Sequence, residues 1–316
     1  VYLPWSVQDR MPNLVAGKLV GALARFDEST GALDTSFRVD PRIRAVTHAI
    51  VEPDGRLLVA ARLGDSATVF RVSATGAIDS GFNAPLFART LRFIARQSDG
   101  KVIVPVTESL SVNAPAAALG ADQVRIYRLN TDGTRDTTFT DTAIDGANGA
   151  VVNLFGPPVI APDGKIYLVG AFASVGGTAR LNLARLNADG TLDPAFAGAL
   201  PAGFASNQAR AVALQSDGRP IIVGDFRFNA RGTAGNPIMA VRFNLDGSLD
   251  QTFAMPLRSE VGIDTAVGGR LRHLAILADD SFVAISDRLY RFFANGARDS
   301  TFVARSFGRE AFWFSR

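Results

Sequence analysis

The amino-acid sequence predicts an all-β fold of the propeller type, built from a repeated four-stranded unit. Three observations carry that expectation. A signature of about fourteen residues recurs six times in the 316-residue chain. A second signature, two short apolar runs on either side of a tight turn, precedes five of those copies. Neither has helical periodicity, and the Asp-Gly pairs at most of the turns would interrupt a helix.

The first signature appears as LARFDESTGALDTSF at 23–37, one residue longer than the others, and as VFRVSATGAIDSGF at 69–82. IYRLNTDGTRDTTF, LARLNADGTLDPAF, AVRFNLDGSLDQTF and LYRFFANGARDSTF follow, ending at Phe139, Phe196, Phe253 and Phe302. The terminal phenylalanines are spaced 45, 57, 57, 57 and 49 residues apart, as expected for variable loops on a constant core.

The second signature centres on Gly55, Gly100, Gly164, Gly218 and, in the fifth copy, Asp280. Asp-Gly favours the φ > 0 backbone of a tight hairpin, so the glycine missing at 280 implies a strained turn or one of another type. Each repeat then supplies one strand on either side of this turn, a third ending near a repeated arginine, and an edge strand at the LDxxF segment. Repeats of this length with four strands match propeller blades.

The ends extend the pattern. REAFWFSR at 309–316 reads as an inner strand that never reaches its turn, and 14–37 as a unit lacking its inner strand. Joined, they would complete a composite blade and remove exposed sheet edges. The expectation is a single domain over residues 1–316 with six four-stranded blades closed by the N- and C-terminal strands, seven blades being the alternative.

Composition narrows the function classes. Cysteine is absent, which excludes disulfides and thiolate metal sites. The net charge of +3 without a basic-aromatic stripe argues against nucleic acid. No apolar run is long enough for membrane insertion. No phosphate loop, nucleophile elbow or metal-ligand spacing appears, so no cofactor and no metal are expected. The acidic turns lack the alternating oxygens of a calcium loop, and local Asx turns account for them.

The repeated residues read as structural. Arg25, Arg71, Arg128, Arg185, Arg242 and Arg291 precede Asp34, Asp79, Asp136, Asp193, Asp250 and Asp299 by eight residues, or nine in the first copy. A guanidinium can satisfy a carboxylate and nearby carbonyls together, so each pair is expected to be semi-buried within its blade. Phe37, Phe82, Phe139, Phe196, Phe253 and Phe302 are expected to fill the seams between sheets.

Ligand chemistry is sought where the repeats differ. Counting back from the first turn, His48 and His273 occupy equivalent positions, and the position before them holds Arg92, Arg210 and Arg272. Arg44, Arg89 and Arg270 lie nearby. Guanidinium groups converging at the inner-strand mouth would suit an anion or an acidic glycan. Asp65, Asp122 and Asp225 are the non-turn acids from which a hydrolase would draw. The stretches 108–123, 228–236 and 257–269 read as projecting loops.

The paired motifs ALQSDGRPIIVGDF with AVRFNLDGSLDQTF, and VIAPDGKIYLVGAF with LARLNADGTLDPAF, resemble the bacterial delta-60 repeat proteins across 14–302. The resemblance implies a propeller within exported or surface-associated bacterial proteins, and it brings no catalytic set. The functional expectation is an extracellular or cell-surface module binding an anionic glycan or a surface protein without catalysis. A passive scaffold in a larger surface protein and a channel-site glycan hydrolase are the alternatives.

Overall fold

Short, β-branched runs on either side of an Asp-Gly turn form antiparallel hairpins, and the central strand of each is apolar on both faces because both are covered. The computed structural model describes residues 2–4, 13–15, 18–20, 23–63, 66–87, 90–109, 122–147, 150–196, 208–226, 237–263, 270–286 and 288–302. The expected closing strand at 309–316 lies outside these residues. The chain divides into two compact units, Val1–Thr142 with Ser315–Arg316, and Ala143–Phe314.

In the first unit, β1 (Tyr2–Pro4) pairs with β4 (Leu23–Arg25), and β2 (Asn13–Val15) with β3 (Lys18–Val20). Two antiparallel meanders follow: β5 (Arg44–Val51), β6 (Leu57–Leu63) and β7 (Ser66–Val72), then β8 (Ala95–Arg96), β9 (Val102–Ser109) and β10 (Asp122–Leu129). The hairpin of β9 and β10 takes in both ends of the loop expected at 108–123.

The second unit begins with the rest of β11 (Thr142–Asp145). β12 (Asn153–Leu154) and β13 (Val159–Ile160) both pair with β14 (Ile166–Ala171), while β15 (Ser174–Val175) pairs with β11 and with β16 (Thr178–Ala179). β17 (Leu183–Leu186) completes the sheet on β14. The next meander is β18 (Gln208–Leu214), β19 (Pro220–Phe226) and β20 (Ile238–Arg242). One helical turn, α1 (Arg258–Val261), precedes the last, β21 (His273–Ile276), β22 (Phe282–Ile285) and β23 (Leu289–Phe292).

The expected fourth strand at LDxxF is a single antiparallel bridge, such as Leu186 to Leu192 or Phe243 to Leu249. The repeated aspartate ends it there. Asp193 Oδ1 accepts the amide of Ala195, and Asp250 Oδ1 those of Thr252 and its hydroxyl, so an Asx turn carries the chain out of the ladder.

Four of the repeated arginines tie their repeat to the next as well as to its own aspartate. Arg25, Arg71, Arg128, Arg185 and Arg242 each donate from Nε to the repeat's Asp Oδ2 at 2.8 Å. Each guanidinium lies over the repeat's phenylalanine, 4.5–5.2 Å from the ring centroid. From Nη1, Arg25 reaches the carbonyl of Ala74, Arg71 that of Thr131, Arg185 that of Leu245 and Arg242 that of Ala294. All four acceptors stand two residues before the turn glycine of the following repeat. The amide after the phenylalanine also donates to that turn, from Arg38 to Thr75, Asn83 to Asp132 and Ala254 to Asn295.

The phenylalanines lie in the same seams. Phe253 shares a buried cluster with Phe282, Tyr290 and Phe292 of the next repeat, and Phe82 one with Val102, Val104 and Tyr127. The sixth arginine departs from the pattern. Arg291 stands 3.9 Å from Asp299, its Nη2 donates to Asp279 at 3.2 Å, and its buried Nε has no acceptor among the described residues.

Asp280 takes the place of the turn glycine without changing the turn. Its φ is +60°, and its amide donates to Leu277 as that of Gly218 does to Gln215. The left-handed backbone is disfavoured by a Cβ, and side-chain bonds offset that cost here. Oδ1 accepts the Ser216 amide at 2.7 Å and Oδ2 the Ser216 hydroxyl at 2.5 Å, while Gln215 Nε2 donates to the Asp280 carbonyl.

Candidate functional site

The irregular residues separate by unit. In the first, His48 lies on β5 beyond a ladder irregularity between Arg44 and His48. Its Nδ1 accepts the amide of Ile94 at 3.4 Å, and its ring meets Phe93 edge-on at 5.9 Å. Burial pushes its pKa down to about 4, which keeps the imidazole neutral and able to accept that bond. Arg92 and Arg44 are exposed, and Arg89 lies outside the described residues.

The second unit brings Arg258 and Arg270 to Asp225, and Arg210 into the field of Arg270, Arg272 and Asp225. Two ladder breaks make the arrangement. The β18–β19 register shifts between Ala209 and Ala211, which leaves Arg210 as the extra residue. The β19–β20 register shifts between Val223 and Phe226, a stretch that contains Asp225. Such bulges turn a side chain out of strict alternation.

Asp225 is buried, with its side chain 5% exposed. Its Oδ2 accepts from Arg258 Nη2 at 3.2 Å and lies 3.4 Å from Arg270 Nε. Its Oδ1 is buried and accepts no hydrogen bond among the described residues, and Arg258 Nε is likewise buried without an acceptor among them. Arg210 stacks over the Phe155 ring at 4.4 Å. Burial lowers its pKa, Arg270 and Arg272 lower it further, and Asp225 acts in the opposite direction. His273, on β21, has its pKa lowered by burial and then by Arg272. Arg258 and Arg270 therefore contact one buried carboxylate, and Arg210 lies in the field of Arg270, Arg272 and that carboxylate.

Arg258 belongs to no repeat signature. It stands on α1, within the loop expected at 257–269, and its main chain is held by the carbonyl of Pro237. Its proximity to Asp225 has no counterpart among the described residues of the other repeats and no motif to announce it. Of the remaining acids, Asp65 and the side chain of Asp122 lie outside the described residues, as does the stretch 228–236. Among the described residues, no cluster of three or more His, Cys, Asp or Glu side chains could hold a metal ion.

Three segments of the chain, 116–139, 161–196 and 215–253, match the family model described as "Domain of unknown function (DUF5122) beta-propeller". The match and the all-β sheets support a β-propeller family. No curated protein matches the chain. Among solved structures, a protein from Lactobacillus plantarum is similar at 10% identity and TM-score 0.56, covering 94% of this chain and 80% of that one. A catalytically inactive virginiamycin B lyase from Staphylococcus aureus, with quinupristin, is similar at 12% identity and TM-score 0.50, covering 88% and 75%. The extracellular domain of a one component system from B. thetaiotaomicron matches at 13% identity and TM-score 0.48, over 93% of this chain. The chain spans 34% of that protein's length. Likeness at these identities concerns the fold. No helix among the described residues is long and apolar enough to cross a membrane.

Proposed function

We propose that the chain is a non-catalytic binding module for an anionic ligand, an acidic glycan in the first place, acting outside the cell or at its surface. The single observation behind this reading is the pairing of Arg258 and Arg270 with the buried Asp225, with Arg210 in the field of Arg270, Arg272 and Asp225. Guanidinium groups suit carboxylates and sulfates in geometry as well as charge. The delta-60 resemblance, with residues 1–316 as one six-bladed domain, belongs to the same proposal and motivates the location. His273 adjoins the cluster in sequence; Arg92 and His48, in the first unit, are proposed as ligand-binding residues by themselves.

The test is binding of sulfate and of acidic oligosaccharides to the full chain, compared with an Arg210→Gln/Arg272→Gln variant and with Arg92→Gln. Saturable binding that the double substitution weakens by about tenfold supports the reading. Binding unchanged by it would place the site elsewhere. The competing reading is a passive scaffold within a larger surface protein, favoured by the assignment of the repeated arginines and phenylalanines to contacts between repeats. A folded chain that binds no anion or surface partner would favour it.

A further inference from the structure

The seam that joins successive repeats is left half-made at the first repeat and at the last. Gly76, Gly133, Gly190, Gly247 and Gly296 are buried turn glycines, whereas Gly31 of the first repeat is exposed. A Cβ added to Gly31 would meet nothing within 4 Å among the described residues. Phe37, Phe82, Phe139, Phe196 and Phe253 are likewise buried, whereas Phe302 of the last repeat is only half-buried. Arg291 donates to no main-chain carbonyl among the described residues, its Nη2 going instead to the side chains of Asp279 and Ser281.

Both faces carry the seam's own chemistry. The first turn closes as the others do despite its extra residue: the Gly31 amide donates to the Asp27 carbonyl at 3.0 Å, and the Asp27 amide to that of Ala32 at 2.8 Å. Gly31 has φ +67°, of the same sign as the other turn glycines. The turn therefore offers a bare glycine to a ring and, two residues earlier, the Ser29 carbonyl to a guanidinium. Glu28, exposed on the same turn, is opposite in charge to Arg291. The signature occurs six times, so the chain holds no seventh copy to fill either face.

We infer that these faces dock a second copy of the chain, the Arg291–Phe302 face of one molecule seating on the 27–31 turn of the next. The contact repeats between molecules what Arg242 and Phe253 make within one, where Arg242 bonds the Ala294 carbonyl and the Phe253 ring lies against Gly296. Such an interface is head-to-tail, so association proceeds to a ring or a filament and does not stop at a two-fold dimer. The inference does not depend on the anion-binding reading.

Sedimentation velocity of the full chain over a concentration series tests it, with two variants. Gly31→Asn adds a side chain where the ring would seat, using a residue that tolerates positive φ; Phe302→Ala removes the ring. The expected result is a sedimentation coefficient that rises with concentration, and association weakened by about tenfold or more in either variant, the effect of losing one central contact. An equimolar mixture of the two variants should form a dimer and nothing larger, because only the Arg291–Phe302 face of the first and the turn of the second remain intact. A monomer at every concentration, as a ring closed within one chain would give, overturns the inference. So does self-association that neither variant weakens, or a mixture that stays monomeric. Should Phe302→Ala fail to fold, Arg291→Met takes its place in the same measurements.

Discussion

Arg185 donates from Nη1 to the main-chain carbonyl of Leu245 at 2.6 Å, a residue 60 positions further along the chain. The same guanidinium bonds Asp193 and lies over Phe196, so one side chain joins its own turn, its own seam and the next repeat. Arg242 makes the corresponding set with Asp250, Phe253 and Ala294, and adds Gln215 Oε1 at 2.9 Å. Arg242→Met should therefore destabilise the fold by about 2–3 kcal/mol, short of the roughly 3–5 kcal/mol for stranding a buried charge because Arg219 stays on Asp250 at 2.7 Å. Arg291→Met should cost about 1 kcal/mol or less, since Arg291 is 34% exposed and loosely paired. Urea unfolding of the two variants measures the difference, and equal losses would contradict the account.

Gly296 and Gly31 form a second contrast. Both have positive φ, +88° and +67°. A Cβ on Gly296 would fall 2.5 Å from Phe253 Cζ, whereas one on Gly31 would meet nothing within 4 Å. Gly31→Ala should cost about 1–2 kcal/mol, the backbone penalty alone. Gly296→Ala should cost more by about 1–3 kcal/mol, for the displaced ring. Thermal melts of both proteins provide the check.

At Asp280, substitution separates backbone from side chain. Asp280→Ala loses the bonds to Ser216 and keeps the left-handed strain; Asp280→Gly loses the same bonds and relieves it. The glycine variant should be more stable than the alanine variant by about 1 kcal/mol. The reverse order in chemical denaturation would show that the strain is not there.

His48 sets an acid limit. Its folded-state pKa of about 4 lies below the ordinary value of 6.5, so the unfolded chain takes up the proton first as pH falls. The stabilisation is complete above pH 6.5 and is lost as pH drops towards 4, by roughly 2–3 kcal/mol. His273, shifted in the same direction, adds to the slope. The repeat carboxylates act at lower pH, since Asp34 is held near 2 by Ser36 and Arg25. His48→Gln, which retains an acceptor for Ile94, should flatten stability between pH 6.5 and 4 and leave the carboxylate limb in place. Unfolding midpoints across that range supply the comparison.

The turns and the arginine–aspartate spacing were legible in the sequence because both are local: partners eight residues apart appear in a single signature. The reach from Arg185 to Leu245 was not. Its acceptor is a main-chain carbonyl, which leaves no side-chain trace, and the residues at that position are Ala74, Thr131, Leu245 and Ala294. The cluster around Asp225 was legible in part. Aligning repeats singles out Arg210, Arg272 and the neighbouring Arg270, but Arg258 sits in an insertion with nothing to align against. The bulges that present Arg210 and Asp225 depend on strand register, which a single sequence does not state.

The phenylalanine of a repeat asks for a bare turn glycine and for apolar side chains of the next repeat to close against. Because the arginine reads a main-chain carbonyl, that part of the seam places no demand on the side chain it meets in the next repeat. The same indifference frees the faces away from the seams to diverge from copy to copy, and a patch such as the one around Asp225 can arise in one repeat while its siblings go on serving as frame.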